Sequence, residues 1–578
     1  MAGRPDTASR RRILKGAALT LGAGALASGP ARAAEHWDHE ADIVAVGSGL
    51  GAATAAVTAR QNGDSAILLE KLPFFGGTSA KTVGVIWCPN NFTLRAKGVE
   101  DRRDDALRYM ARYSYPELYS AEAPRLGLGE QAYALLEAFY DNAARATESL
   151  RDSGALKLAE WRMFHLDRSA TDYLDNVPEN RVPTGRALGT LGADGKLGTG
   201  RDMMEQMAAA LKARDVPVLL GHRATKLVRN EAGRVIGLEA DSNGKTVRIR
   251  ARKGVVFGTG GFAHNLNAIA NYQRNSLYGS CALPGATGDF VDIAGAIGAR
   301  LGQLAGAWRC QVVLEEALQS RAVAAGVFFP PGDSVLQVNR YGMRAVNETR
   351  NYNDRGEVHG TFDPTRAEYP NQLLFMIYDQ RTAEAYAGIY PLPARPGAAP
   401  YVLSAPTLED LGKNIAARLQ TLAAKTGDFT LDAAFAKNLA DTVKRFNGFA
   451  RSGKDGDFGR GAASYDSEWH QAFSPMRKDS PWPPNPMPSI TMHPLRDEGP
   501  YYATILAAGA LDTNGGPVID ARARVLDTAD RPIEGLFGTG NCVASPSGRA
   551  YWGAGHPLGM SLTFGYIAAN TAHENARV

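Results

Sequence analysis

The sequence is poor in cysteine and in net charge, and it shows no internal repeat. Its 578 residues include four scattered cysteines, none with the spacing of a metal site or a redox pair: Cys88, Cys281, Cys310 and Cys542. Such cysteines are typically small buried residues, so we expect free thiols, no disulfide framework and no metal centre. A formal net charge of +4 gives no electrostatic case for a nucleic-acid partner.

The small positive charge comes from residues 1–33. This segment holds six basic residues against one acid, and setting it apart leaves 58 of the 64 basic and 59 of the 60 acidic residues. It contains the stretch SRRRILK (9–15), an apolar run rich in glycine and alanine (16–29), and the small-residue motif ARA (31–33). The pattern predicts a twin-arginine signal peptide, recognised by the twin-arginine export machinery, and therefore a periplasmic or secreted protein. At about 14 residues the apolar run is too short to span a bilayer.

Glycine, by contrast, is abundant. The chain has 63 glycines, and it is 44% hydrophobic and 21% charged. These values are typical of a soluble globular enzyme with many tight turns. At roughly 100 to 200 residues per domain, the length predicts two to four structural units.

A glycine-rich turn follows the first apolar segment after residue 37. Residues 42–46 (DIVAV) predict a buried strand, residues 47–52 (GSGLGA) a tight turn and residues 53–61 a helix. A second strand at 65–69 then ends in Glu70. The glycines let backbone amides approach a pyrophosphate at the helix N-terminus, and Glu70 can accept hydrogen bonds from ribose hydroxyls. This pattern predicts dinucleotide binding, although such a motif alone is weak.

Four further glycine motifs strengthen the interpretation. They are GGTSA (76–80), GTGG (258–261), GTGN (538–541) and GAGHPLG (553–559). Together they favour FAD over NAD. The predicted cofactor-binding residues are Gly47, Gly49, Gly51, Ala52, Glu70, Lys71, Gly76, Gly77, Thr78, Ser79, Ala80, Ala224, Gly258, Gly260, Asp289, Gly540, Asn541 and Gly559.

The middle of the chain differs from these nucleotide-binding segments. It contains an extended segment at 334–338, an apolar strand at 373–378, amphipathic helical runs near 408–425 and 431–451, and a proline-rich linker at 481–488. We therefore predict an α/β protein. Its Rossmann-like FAD-binding domain, of the glutathione-reductase type, takes in residues 37–320 and 485–578, and an α+β cap domain is inserted at 321–484. Substrate pockets usually form at such a junction.

Four segments resemble a known family. Residues 76–91 (GGTSAKTVGVIWCPNN), 286–302, 338–348 (VNRYGMRAVNE) and 540–569 are similar to the fumarate reductase and 3-ketosteroid dehydrogenase flavoproteins. The resemblance covers nearly all of residues 40–575. Some relatives attach the flavin through a histidine, which the stretch from Thr78 to Ala80 lacks, so noncovalent FAD is expected.

The position five residues beyond Asn347 separates the two branches. The fumarate-reducing branch has its proton-donating arginine there, whereas this sequence has Tyr352. That branch also has a histidine before the late double glycine and an arginine near the end, where this sequence has Asn514 and Pro557. The resemblance therefore favours the 3-ketosteroid dehydrogenase branch.

That branch implies roles for several residues. Tyr352 would be the catalytic base, assisted by Tyr173, while Tyr502 and a backbone amide near Gly509 would hold the ketone oxygen. The flavin N5 would accept a hydride from the neighbouring carbon. The branch's C-terminal pattern GxxYxGxGxxxG is matched by residues 548–559, with Tyr551 at its tyrosine.

The predicted function is desaturation of a carbon–carbon bond next to a ketone, with a small hydrophobic, steroid-like substrate. A quinone or another acceptor would reoxidise the flavin. Arg350 and Arg355 are the sequence neighbours that could lower the pKa of Tyr352, although exposed arginines on a loop are the commoner case. The alternative is an exported reductase of an unsaturated carboxylic acid, in which one of these arginines donates the proton. A reductase needs at least two cations for carboxylates, so the polarity of the substrate site separates the two.

Overall fold

Two large β-sheets carry the residues that the sequence analysis identifies. The structure is a computed structural model that describes residues 36–577. The predicted signal peptide at 1–33 lies outside the described residues.

The strands are β1 (His39–Val46), β2 (Ala66–Glu70), β3 (Val85–Trp87), β4 (Leu158–Glu160), β5 (Ala187–Thr190), β6 (Val218–Leu220), β7 (Arg223–Arg229), β8 (Val235–Ser242), β9 (Lys245–Phe257), β10 (Gly279–Ser280), β11 (Leu301–Gly302), β12 (Ala307–Val313), β13 (Val335–Val338), β14 (Leu373–Asp379), β15 (Val402–Ala405), β16 (Tyr501–Thr513), β17 (Gly516–Pro517), β18 (Arg524–Leu526) and β19 (Pro532–Gly538). Strands β9 and β16 have 13 residues each, and the other strands have eight or fewer.

The helices follow the same chain order. They are α1 (Leu50–Gln61), α2 (Phe92–Ala96), α3 (Arg103–Ser114), α4 (Glu130–Asp152), α5 (Gly200–Lys212), α6 (Leu266–Tyr272), α7 (Asp289–Gly295), α8 (Leu314–Gln319), α9 (Tyr352–Gly356), α10 (Gln380–Ala385), α11 (Leu408–Thr426), α12 (Phe435–Ser452), α13 (Ser464–Phe473) and α14 (His556–His573). Short 3₁₀ helices span Gly77–Lys81, Pro124–Gly127, Phe164–Leu166, Glu357–Gly360 and Gly540–Cys542.

The first sheet has eight strands, and its parallel core brings the glycine turns together. Its order is β18-β19-β9-β1-β2-β6, with β7 and β8 joined to it through β9. Strand β1 is parallel to β2 and β9, and β9 is parallel to β19. The turns after β1, β9 and β19 therefore lie at one edge of the sheet, where dinucleotides bind in open α/β folds.

Small residues allow the helices to pack closely on this sheet. Residues 50–59 of α1 are all buried. A Cβ on Gly565 of α14 would lie 2.3 Å from the carbonyl oxygen of Gly51, so the two helix backbones are in direct contact. The predicted strand–turn–helix unit at 42–61 therefore sits in the core.

The second sheet has six strands arranged around β16. Its order is β10-β16-β14-β13, and β12 and β15 also pair with β16. In this register Tyr502 lies opposite Tyr378, and Gly509 lies opposite Cys310. Both residues therefore lie inside the sheet.

The elements expected between 321 and 484 are present as β13, β14, α11 and α12. The second sheet also takes β10, β12 and β16 from outside that range, and residues from Trp37 onward form one compact unit. The domain boundaries at 321 and 484 thus stay a prediction, whereas the predicted α/β fold class is confirmed.

Two further features concern the chain as described. No helix within residues 36–577 is both long and apolar enough to cross a membrane. All four cysteines are buried and free, as predicted.

Candidate active site

One cavity runs from the glycine turns of the first sheet to a cluster of aromatic side chains. Its lining comes from both ends of the chain and from the middle. Fourteen predicted site residues are among those that line it: Gly47, Gly49, Gly51, Glu70, Lys71, Gly77, Thr78, Ser79, Gly258, Gly260, Gly540 and Asn541 on the cofactor side, and Tyr173 and Tyr352 on the aromatic side.

The cofactor end is shaped by backbone. Gly47 has a φ of +102°, and a Cβ there would lie 2.5 Å from the carbonyl oxygen of Gly258. The backbone amide of Leu50, in the first turn of α1, donates to Ser79 Oγ at 3.1 Å. The first glycine turn is thereby joined to the 3₁₀ helix that begins at Gly77. This backbone-lined space next to the N-terminus of α1 fits a pyrophosphate.

The Glu70 carboxylate is hydrogen-bonded to the first glycine turn. Its Oε2 accepts hydrogen bonds from the backbone amide of Ser48 at 3.0 Å and from the Ser48 hydroxyl at 2.6 Å. Its Oε1 accepts from the backbone amide of Leu72 at 2.8 Å. A carboxylate offers about four lone-pair sites, so Glu70 keeps the capacity to accept from ribose hydroxyls.

Four predicted cofactor residues support the turns without lining the cavity: Ala52, Gly76, Ala80 and Gly559. Ala52 packs against Gly258, where a Cβ would lie 2.8 Å from the Ala52 amide. Gly559 packs α14 against β3, because a Cβ there would lie 2.2 Å from the carbonyl oxygen of Trp87. The role of both residues is close helix packing.

Two other predicted cofactor residues lie away from the cavity lining. Ala224 is a buried residue of β7 that pairs with Ala240. Asp289 accepts from Lys71 Nζ at 3.0 Å and from Arg223 at 2.9 Å, and it fixes the lysine that lines the cavity. Neither residue lines the cavity, and their assignment to the cofactor stays a prediction.

The aromatic end brings together three phenols from distant segments. Tyr173 Oη donates to Tyr352 Oη at 3.2 Å. The Tyr551 ring stacks on Tyr173 at 5.1 Å and meets the Tyr352 ring edge to face at 5.4 Å. The walls are aromatic as well, and include Trp161, Trp308, Phe328, Phe329, Trp469 and Phe473.

Tyr352 is held at the first residue of α9. The side chain of Asn351 caps this short helix by accepting from the backbone amide of Asp354. Asn353 Oδ1 accepts from the backbone amide of Arg309 at 2.9 Å, which ties α9 to β12. The buried guanidinium of Arg355 donates to Gln311 and to four backbone carbonyls. Helix α9 has only five residues, but these contacts hold it in one position.

Tyr173 is fixed by a buried ionic network beneath it. Asp172 accepts hydrogen bonds from the Trp87 indole at 2.8 Å and from Arg186 at 2.7 Å. Arg186 also donates two hydrogen bonds to the carboxylate of Asp101. Burial raises the pKa of Asp172 to about 6. The backbone amide of Tyr173 donates to the carbonyl of Trp552, which places its ring beside Tyr551.

The electrostatics of Tyr352 differ from the prediction. Burial raises its pKa well above the ordinary value, and the phenols of Tyr173 and Tyr551 raise it further. Arg355 is turned toward carbonyls, and Arg350 lies 3.8 Å from Asp354 and against the ring of Tyr465. The expectation that these arginines lower the pKa of Tyr352 is wrong, because Arg355 is hydrogen-bonded to carbonyls and Arg350 is paired with Asp354.

Tyr502 and Gly509 do not reach the cavity. The Tyr502 hydroxyl donates to Gln380, its ring stacks on Tyr378 at 5.3 Å, and its side chain belongs to a separate hydrophobic cluster. Gly509 is enclosed by Val312, whose Cγ1 would lie 2.4 Å from an added Cβ. Their predicted role at the ketone oxygen is corrected on this geometry, since neither lines the space beside Tyr352.

The lining includes two residues to which the sequence analysis gave no catalytic role, Tyr551 and Gly555. Gly555 has a φ of +84° and is the N-cap of α14, and within the described chain its amide has no hydrogen-bond acceptor. The signal was available, because both residues stand in the GxxYxGxGxxxG pattern at 548–559. The glycines of this pattern predict a cofactor-binding loop, and for that reason its tyrosine received no catalytic role.

Comparison with known proteins decides the family. The FAD binding domain family matches residues 42–558, which is most of the chain. The chain belongs to this FAD-binding family. The flavoprotein is 32% identical to the 4-oxocyclohexanecarboxylate 2-dehydrogenase of Sinomonas cyclohexanicum, with 92% of each chain covered. It is 30% identical to the 3-oxosteroid 1-dehydrogenase of Mycolicibacterium smegmatis, with 92% of this chain and 96% of the relative covered.

A solved structure of a related enzyme has the same fold. The crystal structure of a 3-ketosteroid delta1-dehydrogenase from Sterolibacterium denitrificans, in complex with 1,4-androstadiene-3,17-dione, has a TM-score of 0.74 and 27% sequence identity. The match covers 93% of this chain and 99% of that one. The predicted family and cofactor are confirmed: the flavoprotein uses FAD and is an oxidoreductase acting on CH–CH groups next to a carbonyl.

Proposed function

We propose that the flavoprotein desaturates a ring carbon–carbon bond next to a ketone, with Tyr352 as the base. The observation that carries the proposal is the Tyr352 hydroxyl, held 3.2 Å from the Tyr173 hydroxyl in a cavity that continues into the cofactor end. The relatives named above act on ring ketones, a 4-oxocyclohexanecarboxylate and 3-oxosteroids. An aromatic-walled cavity suits a flat, apolar ring system, so a 3-ketosteroid-like substrate is favoured.

Each tyrosine of the cavity has a separate role, which follows from its position. Tyr352 removes the proton next to the ketone, and Tyr173, whose hydroxyl lies 3.2 Å from the Tyr352 hydroxyl, assists it. FAD, when bound, supplies the hydride acceptor for the neighbouring carbon. Tyr551 and the backbone amide of Gly555 are the donors that hold the ketone oxygen as negative charge develops on it. They take the role predicted for Tyr502 and Gly509.

The raised pKa of Tyr352 is compatible with this role once the ketone is bound. A phenol with a pKa of about 10 is only about 0.1% ionised at pH 7, which corresponds to roughly 4 kcal/mol. Burial adds to that figure. Donors to the ketone oxygen acidify the substrate proton, so that the small phenolate fraction of Tyr352 suffices to remove it. The rate should accordingly rise with pH.

The alternative, a reductase of an unsaturated acid, finds little support in the charges of the cavity. Among the described residues no arginine or histidine lines it, and its cations are Lys71 and Lys81. Lys71 is paired with Asp289, and Lys81 donates to the carbonyls of Cys281 and Val323. A dicarboxylate needs two opposing cations. Neither Arg350 nor Arg355 lines the cavity as a replacement donor.

Three further features belong to the proposal. FAD is held noncovalently, which the absence of histidine from the described lining supports. A quinone or another small acceptor removes the electrons, and the twin-arginine stretch at 9–15 directs the folded flavoprotein to the periplasm or the exterior. Acid precipitation should release the flavin into the supernatant, and yellow colour in the pellet would show covalent attachment.

A substrate panel tests the proposal directly. FAD-loaded protein is mixed anaerobically with a neutral 3-ketosteroid, with 4-oxocyclohexanecarboxylate and with saturated straight-chain acids, and loss of the oxidised flavin absorbance is followed. Reduction by a ring ketone is the expected result. If the cyclic ketones leave the flavin oxidised while fumarate reoxidises the reduced protein, the reductase assignment replaces this one.

A further inference from the structure

A second cavity, of about 660 Å³, lies between the α6 region, α8 and the end of α11. It shares no lining residue with the active-site cavity. Its wall is apolar and aromatic over much of its area and includes Leu266, Ile269, Leu277, Tyr278, Leu318 and Tyr369. A cavity of this size and lining suits a small molecule with an apolar body.

The charges on this wall are all of one sign. Arg274, Arg321 and Lys425 line the cavity, and its described lining contains no aspartate or glutamate. None of the three cations has a carboxylate within ion-pair distance among the described residues. His359, which also lines the cavity, is neutral at pH 7 because burial lowers its pKa to about 4. Three unneutralised cations around a cavity attract an anion.

Arg321 is the most informative of the three. Its Nη1 donates to the carbonyls of Leu277 and Tyr278 at 2.7 and 3.2 Å, and its Nη2 donates to the carbonyl of Ala263 at 3.1 Å. Its Nε is buried and has no hydrogen-bond partner. Its guanidinium is therefore fixed by backbone carbonyls, and no carboxylate among the described residues neutralises its charge.

Two fully buried arginines of this chain bind carboxylates through the Nε and Nη2 edge of the guanidinium. Arg186 uses Nε and Nη2 to hold both oxygens of Asp101. Arg381 uses the same two atoms to hold Asp333 at 3.0 and 2.9 Å. In each case a carboxylate faces this edge, which is the geometry for which a guanidinium is suited. At Arg321 the chain supplies no such group.

We propose that this second cavity is a binding site for a small amphiphilic anion. The carboxylate or phosphate head would lie among Arg274, Arg321 and Lys425, and the apolar body would lie against the leucine, isoleucine and tyrosine side chains of the wall. The wall also includes Ala508 of β16, a strand that continues to Leu511 and Asp512 in the active-site cavity. The two sites are thus connected through one strand.

Calorimetric titration of the FAD-loaded protein tests the site with three probes: octanoate, inorganic phosphate and the uncharged 1-octanol. Octanoate should bind and 1-octanol should not. The double variant Arg274→Gln/Lys425→Gln, which changes two exposed side chains, should weaken octanoate binding about tenfold through lost charge attraction. The matched control Arg229→Gln/Lys444→Gln removes one arginine and one lysine that line neither cavity, and should bind as the wild type does.

The same titrations define the results that overturn the proposal. Equal octanoate affinity in the wild type and in Arg274→Gln/Lys425→Gln would do so, and so would the absence of binding heat with octanoate. Binding of phosphate without octanoate would show that the apolar wall contributes nothing. Octanoate that is displaced by a ring-ketone substrate would be bound in the active-site cavity instead.

Discussion

The two ends of the active-site cavity are built in different ways. The cofactor end is formed by backbone from short glycine motifs, such as residues 47–51, in which no side chain larger than hydrogen fits at Gly47. The aromatic end is formed by three phenols that lie about 180 to 380 residues apart in the chain, Tyr173, Tyr352 and Tyr551. The first end depends on local backbone conformation, and the second depends on how whole elements pack.

This difference determines what a substitution does. At the cofactor end a lost side chain weakens binding of the cofactor and leaves the chemistry of bound cofactor largely intact. At the aromatic end the loss of a single hydroxyl oxygen leaves the ring packing and cofactor binding in place but removes a proton-transfer group. Four variants and one control variant test this contrast, and the four are given in order of decreasing expected effect.

Tyr352→Phe should have the largest effect. It keeps the ring contacts with Tyr173 and Tyr551 and deletes the hydroxyl, so flavin reduction by substrate should slow by about 10²- to 10⁴-fold, the usual size of a lost general base. FAD content should not change. Stopped-flow measurement of flavin absorbance gives the rate. The wild-type rate should rise with pH, because the pKa of Tyr352 lies well above its usual range, and the residual rate of the variant should lose that rise.

Arg350→Gln is the control for that variant. Arg350 does not line the cavity and pairs with Asp354 at 3.8 Å, so its loss should change the rate much less than the loss of Tyr352. A near-normal rate in Tyr352→Phe beside an inactive Arg350→Gln would remove the dehydrogenase assignment.

Tyr551→Phe should have the next largest effect. If its hydroxyl holds the ketone oxygen, its loss should lower the rate of flavin reduction by roughly 10²- to 10³-fold, as for other donors to a developing oxyanion. The loss should appear in kcat more than in KM, because negative charge develops on the oxygen only in the transition state. A change confined to KM would mean that Tyr551 forms a wall of the cavity and nothing more.

Glu70→Ala tests the cofactor end and should have a smaller effect. The variant loses the carboxylate that accepts from Ser48 and Leu72 and that faces the predicted ribose position. Charge-assisted bonds of this kind contribute about 1.5 to 3 kcal/mol, so FAD should dissociate roughly 10- to 100-fold more readily. Fluorescence of released FAD on dilution measures it. With FAD added in excess, the rate of flavin reduction should recover, whereas that of Tyr352→Phe should not.

The contrast also explains what the sequence could predict. The strand, turn and helix at 42–61 and the glycine turns at 258–261 and 538–541 were predictable because each is set by a few neighbouring residues. Tyr173 and Tyr352 were identified by resemblance to a family, since nothing in their local sequence shows that their hydroxyls lie 3.2 Å apart. The sequence analysis gave Tyr551 no part in the chemistry because its motif reads first as a glycine turn.

The placement of Arg355 was unpredictable for a related reason. A charged residue two positions after Asn353 in a polar stretch suggests an exposed loop, yet Arg355 is fully buried and uses its guanidinium on backbone carbonyls. Such a position is stable only when every donor finds an acceptor, and the acceptors come from segments far from Arg355 in sequence. Pattern and periodicity contain no information on those partners.

Tyr502→Phe should have the smallest effect and is the sharpest test of the corrected site. The variant keeps the ring that stacks on Tyr378 and loses only the hydrogen bond to Gln380. A bond of this kind contributes about 0.5 to 1.5 kcal/mol, so the urea midpoint should fall slightly while the rate of flavin reduction stays within about twofold of the wild type. Tyr551→Phe is the matched comparison, because it deletes the same atom from the same residue type on the cavity wall. If Tyr502→Phe slowed reduction by about 100-fold and Tyr551→Phe did not, the ketone oxygen would have to lie beside β16 and β14, and the cavity described above would not be the site of the chemistry.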